Sequence, residues 1–259
     1  LDAAAKSGKH LYDKLFGPKR ESTPAFDFGT AFHAAALPGE DFDQVAARMP
    51  DGLKKTTKEG KAFMAEHKGK ILLNNSDAYA LDQMMLSMSE HPVARGLLNG
   101  GWQGKSEQSY FAVDPETGLD VKCRPDFILN DGSLIIDLKT TLDASPKGFQ
   151  RSLVSYRYYV QAAFYMDVVE MATGTRPLAF LFIACEKQRP FQVGAYCADD
   201  AMIEVGKEHA RRDLQKIAEW KASNTWPGYS DRAEIISLPK WMLPKEDGTP
   251  ADYQPIELY

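Results

Sequence analysis

The stretch "VKCRPDFILNDGSLIIDLKTT", residues Val121 to Thr141, constrains this chain more than any other. Two short apolar segments flank "NDG", a strong signal for an antiparallel hairpin. The flanks are apolar enough for burial, yet Asp126, Asp137 and Lys139 interrupt them. A strand buried along most of its length seldom carries charges without a reason, because an unpaired buried charge is costly. In "IIDLKTT" Asp137 and Lys139 are two residues apart, so strand alternation puts both on one face, with Cα atoms roughly 6 to 7 Å apart. Pro125 has no N–H to give to a ladder and marks an edge or a splay beside Asp126. The sequence therefore predicts a pocket where the strand pair opens, with two carboxylates and an ammonium converging on it.

Such a set suits metal-assisted phosphodiester hydrolysis. Asp126 and Asp137 offer the hard oxygen ligands that hold Mg²⁺ or Mn²⁺. The metal polarises a phosphoryl oxygen and lowers the pKa of its water, while Lys139 orients that water or balances charge at phosphorus. The plainer alternative is a surface meander in which Lys139 pairs with an acidic neighbour. The apolar "SLII" before the charges weighs against it.

Upstream, the first hundred residues read as helical. "LDAAAKSGKHLYDKLF" is rich in helix formers, and "TPAFDFGTAFHAAALPG" has a Thr-Pro start and a Pro-Gly stop. In "SDAYALDQMMLSMSEHPVARGLLNG", Leu81, Met84, Met85 and Met88 fall on one helix face, a pattern of core packing. From Ser106 the texture changes to short β-prone segments, "EQSYFAV", "LDVKCRPDFIL" and "SLIIDLKTT", read as a three-stranded antiparallel meander. A single long helix is expected from Ser145 to Gly174, then two strands, "PLAFLFIACEK" and "PFQVGAYCAD", and a charged amphipathic helix. This order implies an α/β fold, a central mixed sheet flanked by helices with a helical N-terminal part. We expect one domain over residues 1–259: a mostly helical part over 1–105, the catalytic sheet and crossover helix over 106–200, and a C-terminal helix and packing tail over 201–259.

The hydrophobic fraction of 44% is ample for a core. No apolar run approaches the roughly 20 residues that cross a bilayer. Three cysteines, Cys123, Cys185 and Cys197, show no metal-binding spacing and suit a reducing compartment, so a cytoplasmic protein is expected. A net charge of −5 argues against a protein that coats nucleic acid by bulk positive charge, but not against a nuclease with an acidic metal site.

"RPDFIL…IIDLKTT" resembles the P-D…(D/E)-x-K core of the PD-(D/E)XK nuclease superfamily, with Asp in place of the commoner Glu. Gln161 and Tyr165 in "YRYYVQAAFYMD" resemble the Q-x-x-x-Y motif of its RecB-type branch, and Gly29 and His33 in "GTAFHAAAL" its G-x-x-x-H element. Together with "FGTAFHAAALPGEDFD" and "WKASNTWPGYSDRAEIISLPKWM", these segments are similar, in order and spacing, to the exonuclease VIII (RecE-type) family of nuclease domains. That resemblance implies a Mg²⁺-dependent 5′→3′ exonuclease, with Mn²⁺ as a substitute, acting on linear double-stranded DNA to leave 3′ single strands for phage-type recombination. It also implies a homotetrameric ring and a RecT-type single-strand annealing protein as partner. By the same resemblance His33, Asp126, Asp137 and the Leu138 carbonyl are metal ligands, Lys139 is the catalytic lysine, Gln161 and Tyr165 lie near the scissile strand, and Glu107 is a further acidic residue of the site.

Other readings stay open on the sequence alone. His33 in an apolar helix could be a hydrogen-bonded core residue, and Gln161 and Tyr165 could simply pack against the sheet. Lys147, Arg151 and Arg157 suit either phosphate contact or a solvated helix face. Trp226 and Trp241 read better as packing anchors than as base-stacking platforms. A RecB-like endonuclease, CRISPR-associated or of restriction type, and an inert DNA-binding module are the competing functions.

Overall fold

The computed structural model describes residues 1–19, 21–98 and 100–239. The N-terminal part contains α1 (Asp2–Lys6), α2 (Gly8–Phe16), α3 (Pro24–Ala36), α4 (Phe42–Val45), β1 (Ala46–Arg48), α5 (Lys58–Glu66), β2 (Ile71–Leu73), α6 (Asn75–Glu90) and α7 (Arg95–Leu98). The expected first helix is thus two, broken at Ser7, whose hydroxyl leaves the helix to accept from the His10 N–H as the cap of α2. β1 and β2 form a small parallel pair that the sequence pattern does not announce. Thr23 caps α3 by accepting from Phe26 N–H, and Pro24 takes the first helical position, where no N–H is needed.

The remaining elements are β3 (Gly104–Ser106), β4 (Tyr110–Val113), β5 (Asp120–Cys123), β6 (Phe127–Leu129), β7 (Leu134–Thr141), α8 (Pro146–Ser155), α9 (Tyr158–Thr173), β8 (Ala179–Glu186), β9 (Val193–Cys197) and α10 (Asp200–Ser223). The central sheet runs β3-β6-β7-β8-β9 and is mixed, with β7 and β8 parallel and the other neighbours antiparallel. Its two faces alternate strictly along β7. Ile136 and Leu138 pack with Phe28, Phe32, Leu81, Met84 and Met88 from the N-terminal helices. Ile135 packs on the other side with Ala162, Met166 and Val169 of α9. Helices therefore cover both faces, as the sequence predicts.

Two further expectations need correction. The three-stranded meander is split between sheets: β4 and β5 form a separate two-stranded ribbon, while β6 joins β7. The break falls at Pro125, where a ladder cannot continue for want of an N–H. The single crossover helix is also two helices, because Arg157 takes a left-handed backbone (φ 55°) between α8 and α9. The guanidinium of Arg157 holds that break by pairing with fully buried Asp213 at 2.5 Å and with Asp2 at 3.6 Å. In the tail, Trp226 packs against Tyr12, Phe16 and Trp220, consistent with an anchoring role. Trp241 lies outside the described residues. No described helix is long and apolar enough to cross a membrane.

Candidate active site

The register of β6 and β7 explains how the charges meet. Phe127 opposes Ile136, so one step further along the pair Asp126 comes opposite Asp137. There the ladder ends: the Leu138 N–H, which would continue it, donates to Asp126 Oδ2 at 2.7 Å. Asp126 thus replaces a backbone acceptor and is pinned by that bond. Asp137, only 1% exposed, points to the α9 face of the sheet and forms an ion pair with Lys139 Nζ. Gln161 Nε2, one turn into α9, donates to Asp137 Oδ1 at 2.6 Å. The two carboxylates and the lysine therefore share one end of β7.

The N-terminal part closes the other side. His33, in the last turns of α3, donates from Nε2 to the Leu138 carbonyl at 3.1 Å. That bond leaves Nδ1 facing Asp126 Oδ1 at 3.5 Å and Glu107 Oε1 at 4.0 Å. Glu107 follows β3 in a left-handed backbone conformation (φ 50°), and its N–H donates to the Asp126 carbonyl at 3.0 Å. Its second carboxylate oxygen meets Arg124 Nε at 2.6 Å. Ligand atoms of His33, Glu107 and Asp126 lie within 4.8 Å of one another. Asp137 stands beside this triad rather than in it, with its oxygens engaged by Gln161 and Lys139.

His33, Glu107, Arg124, Asp126 and Lys139 line a cleft of about 810 Å³, whose wall also includes Phe26, Thr140, Tyr158 and Tyr165, while the buried Asp137 lies behind Lys139. Tyr165 reaches the cleft from the same helix face as Gln161, while its ring packs edge-on to Phe180. Tyr158 and Arg124 escape sequence reasoning. Tyr158 places its ring 4.6 Å from Lys139 Nζ, and only the aromatic density of "SYRYYV" hints at it. Arg124 could have been suspected from its place beside Pro125 and Asp126.

Burial and mutual repulsion set the electrostatics. Burial, reinforced by Asp137, raises the Asp126 carboxyl well above the usual carboxylate range, although Lys139 and the Leu138 N–H oppose the rise. Burial also raises Glu107, against the pull of Arg124. For Lys139 burial works to discharge the ammonium, but Asp137 and Asp126 outweigh it and hold the pKa above the ordinary lysine value. Burial lowers the His33 imidazole, so it is neutral near pH 7 and its Nδ1 carries a lone pair. Tyr165 is pushed up to about 12 by burial and by Asp137, so its phenol keeps its proton.

This donor set fits a divalent cation. A neutral imidazole nitrogen and two carboxylates lie together, with the Leu138 carbonyl on the other ring nitrogen of His33, and the burial and acidic neighbours that raise Asp126 are offset by a bound cation. The three basic residues of the crossover region separate. Arg157 is buried in its pairing with Asp213 and Asp2, so the phosphate-contact reading fails for it. Lys147 and Arg151 remain exposed on α8, Arg151 in contact with Asp143 at 3.1 Å.

A family model for a PDDEXK-like domain of unknown function (DUF3799) matches residues 2–239. No curated protein sequence matches the chain. Among solved structures, a protein of Eubacterium rectale described provisionally as an exonuclease superposes with a TM-score of 0.60 at 14% identity, covering 90% of this chain and 83% of its own. At that identity the likeness speaks for the fold. An alkaline exonuclease of Laribacter hongkongensis (15% identity, TM-score 0.31, 75% of this chain and 91% of its own) is a weaker likeness. So is a phage-related exonuclease of Haemophilus somnus (14% identity, TM-score 0.36, 75% of this chain and 94% of its own). Neither superposes well enough to carry an argument.

Proposed function

We propose, for a chain that belongs to the PDDEXK-like family, that it is a metal-dependent deoxyribonuclease which degrades linear double-stranded DNA from its ends. The observation that carries this reading is the convergence of Asp126, Asp137 and Lys139 with His33 and Gln161 at one end of β7. His33 through Nδ1, Glu107 and Asp126 would hold the cation; the Leu138 carbonyl, which accepts from His33 Nε2, and Asp137 would join them only on rearrangement. Mg²⁺ is the proposed ion because the donors are mostly oxygens; the imidazole nitrogen makes Mn²⁺ an acceptable substitute. When bound, such an ion polarises a phosphoryl oxygen and makes water a better nucleophile at neutral pH.

The chain's own residues do the rest. Lys139 keeps its proton beside Asp137 and Asp126, so it presents a fixed positive charge to the phosphate as negative charge builds on its oxygens. Gln161 holds the Asp137 carboxylate in one orientation. Tyr158 and Tyr165 wall the cleft and limit water around the lysine. The resemblance to RecE-type nucleases supports the finer reading: 5′→3′ digestion leaving 3′ single strands, a homotetrameric ring around the duplex, a RecT-type annealing protein as partner, and a cytoplasmic role in prophage recombination.

The test is digestion of linear duplex labelled at the 5′ or the 3′ end, with Mg²⁺ and with EDTA. Early release of the 5′ label in Mg²⁺, none in EDTA, and resistance of closed circular DNA are expected. Release of the 3′ label first overturns the polarity; cutting of closed circles replaces the exonuclease by an endonuclease; no cutting of any DNA sinks the proposal.

A further inference from the structure

A second groove, of about 330 Å³, adjoins the cleft and shares Lys139, Thr140 and Tyr158 with it. Its outer wall is built by the loop after β7, by α8 with Arg151, Ser152 and Ser155, by Tyr156 just beyond α8, and by Lys187 just after β8. The break between α8 and α9 creates this wall. Where one long helix would carry Tyr156 onward in its turn, the left-handed Arg157 ends α8 and leaves Tyr156 at the groove's mouth, 63% exposed. One face of Tyr156 is backed by Tyr158, with ring centroids 5.4 Å apart and planes 27° from parallel. Tyr158 in turn faces Lys139 Nζ at 4.6 Å. A line of groups therefore runs from the charged end of β7 to an open aromatic face.

The polar groups of the groove suit a phosphodiester strand. Arg151 is steered by Asp143, which accepts from it at 3.1 Å and offsets part of its charge. Asp143 is itself fixed by accepting from the Ser145 N–H at 2.9 Å. Lys187, anchored through its backbone to the Thr141 carbonyl at 3.1 Å, makes no ion pair through its side chain among the described residues. Ser152 and Ser155 fall three apart on α8, on one helix face. A flat aromatic with one free face, flanked by two cations and two hydroxyls, matches a stacked base with its neighbouring phosphates.

We infer that this groove is a single-strand subsite, in which a base adjoining the phosphate in the cleft stacks on Tyr156 while Arg151 and Lys187 contact the backbone. The inference rests on the nuclease reading for its substrate. Its test does not need cutting: the chain in EDTA is titrated into a short single-stranded oligodeoxynucleotide carrying a fluorescent adenine analogue. Stacking on Tyr156 predicts quenching by the wild type, binding roughly tenfold weaker for Tyr156→Ala, and recovery in Tyr156→Phe. Arg151→Ala with Lys187→Ala should flatten the salt dependence of binding without abolishing the quench at low salt. No binding by the wild type, or equal binding and quenching by Tyr156→Ala, overturns the subsite. A wild type that binds in this way but cuts no duplex sinks the nuclease reading and leaves the subsite standing. Duplex cutting by a chain whose Tyr156→Ala variant binds normally does the reverse.

Discussion

Asp126 and Asp137 look equivalent as letters and are not equivalent as groups. Asp137 is buried with a lysine and an amide aimed at it, so its charge is compensated within the protein. Asp126 accepts one backbone N–H and has no such close partner for its charge; burial first, and then the nearby Asp137 and Glu107, raise its carboxyl well above the usual range against the pull of Lys139 and the Leu138 N–H. Substitutions at the two positions should therefore diverge. Asp137→Ala strands the buried Lys139 ammonium and should cost on the order of 3 kcal/mol of stability, so lost activity there has two causes. Asp126→Asn keeps an oxygen for the Leu138 N–H and removes a repelled charge. Its melting temperature in EDTA should equal or exceed the wild type, while the rate of duplex digestion falls roughly 100-fold or more. A fall in melting temperature together with near-normal digestion would contradict both halves of this assignment. The D-x-K pair on one strand face was legible because strand alternation is strict. The separate partners of its two carboxylates were not, because Gln161 and His33 reach them from elements remote in sequence.

At the level of elements, the sequence readily revealed β7, β8, β9 and α10: β7 and β8 carry long apolar runs, β9 follows the Pro190 turn, and α10 starts at the Asp199 cap. It blurred the places where one residue divides a continuous pattern. Pro125 separates β5 from β6, and Arg157 separates α8 from α9; an arginine carries no local signal for a left-handed turn, since its reason is the buried Asp213 far along the chain. The β4–β5 ribbon shows what such long-range ties are worth. Its turn holds Asp114, fully buried, which accepts from Thr117 N–H at 2.9 Å and from Thr117 Oγ1 at 2.5 Å. Arg211 of α10 donates to both Asp114 oxygens, at 2.8 and 2.9 Å. Burial alone would raise this carboxyl, but the Thr117 and Arg211 bonds prevail and hold it below the usual range. The sign follows: a depressed carboxyl stabilises the fold above its unfolded value, about 3.9, and the contribution is lost as pH falls through the lower, folded value. Asp114→Asn should cost about 2 kcal/mol near neutrality. Its melting temperature should also converge on that of the wild type as thermal melts are taken from about pH 6 down to about pH 3. A constant gap across that range would show that the Asp114 charge is not what ties the ribbon to α10.

At the scale of the whole molecule, the candidate site is a junction. His33 and Leu138 are 105 residues apart in sequence and joined by one hydrogen bond, with Glu107 and Asp126 supplied by segments between them. The order of these motifs could be read along the chain, because each is short and local; their meeting could not, because it depends on α3 packing across the end of β7. A cation held by His33, Glu107 and Asp126 would cross-link the N-terminal helices to the central sheet, so its binding should report on global stability and not only on catalysis. A ligand that binds only the folded state stabilises it by RT ln(1 + [L]/Kd), about 2.7 kcal/mol at a hundredfold excess over Kd. Addition of Mn²⁺ or Mg²⁺ to metal-free protein should therefore raise the melting temperature by several degrees, given the usual scale of a few degrees per kcal/mol for chains of this size. EDTA should reverse it. The rise should vanish in His33→Ala and in Asp126→Asn, whereas Gln161→Ala, which touches Asp137 and not the triad, should retain most of it. An equal rise in all four proteins would place the ion elsewhere on the surface. A rise lost only in a variant of Asp137 would move the binding site from the triad to the lysine side of β7.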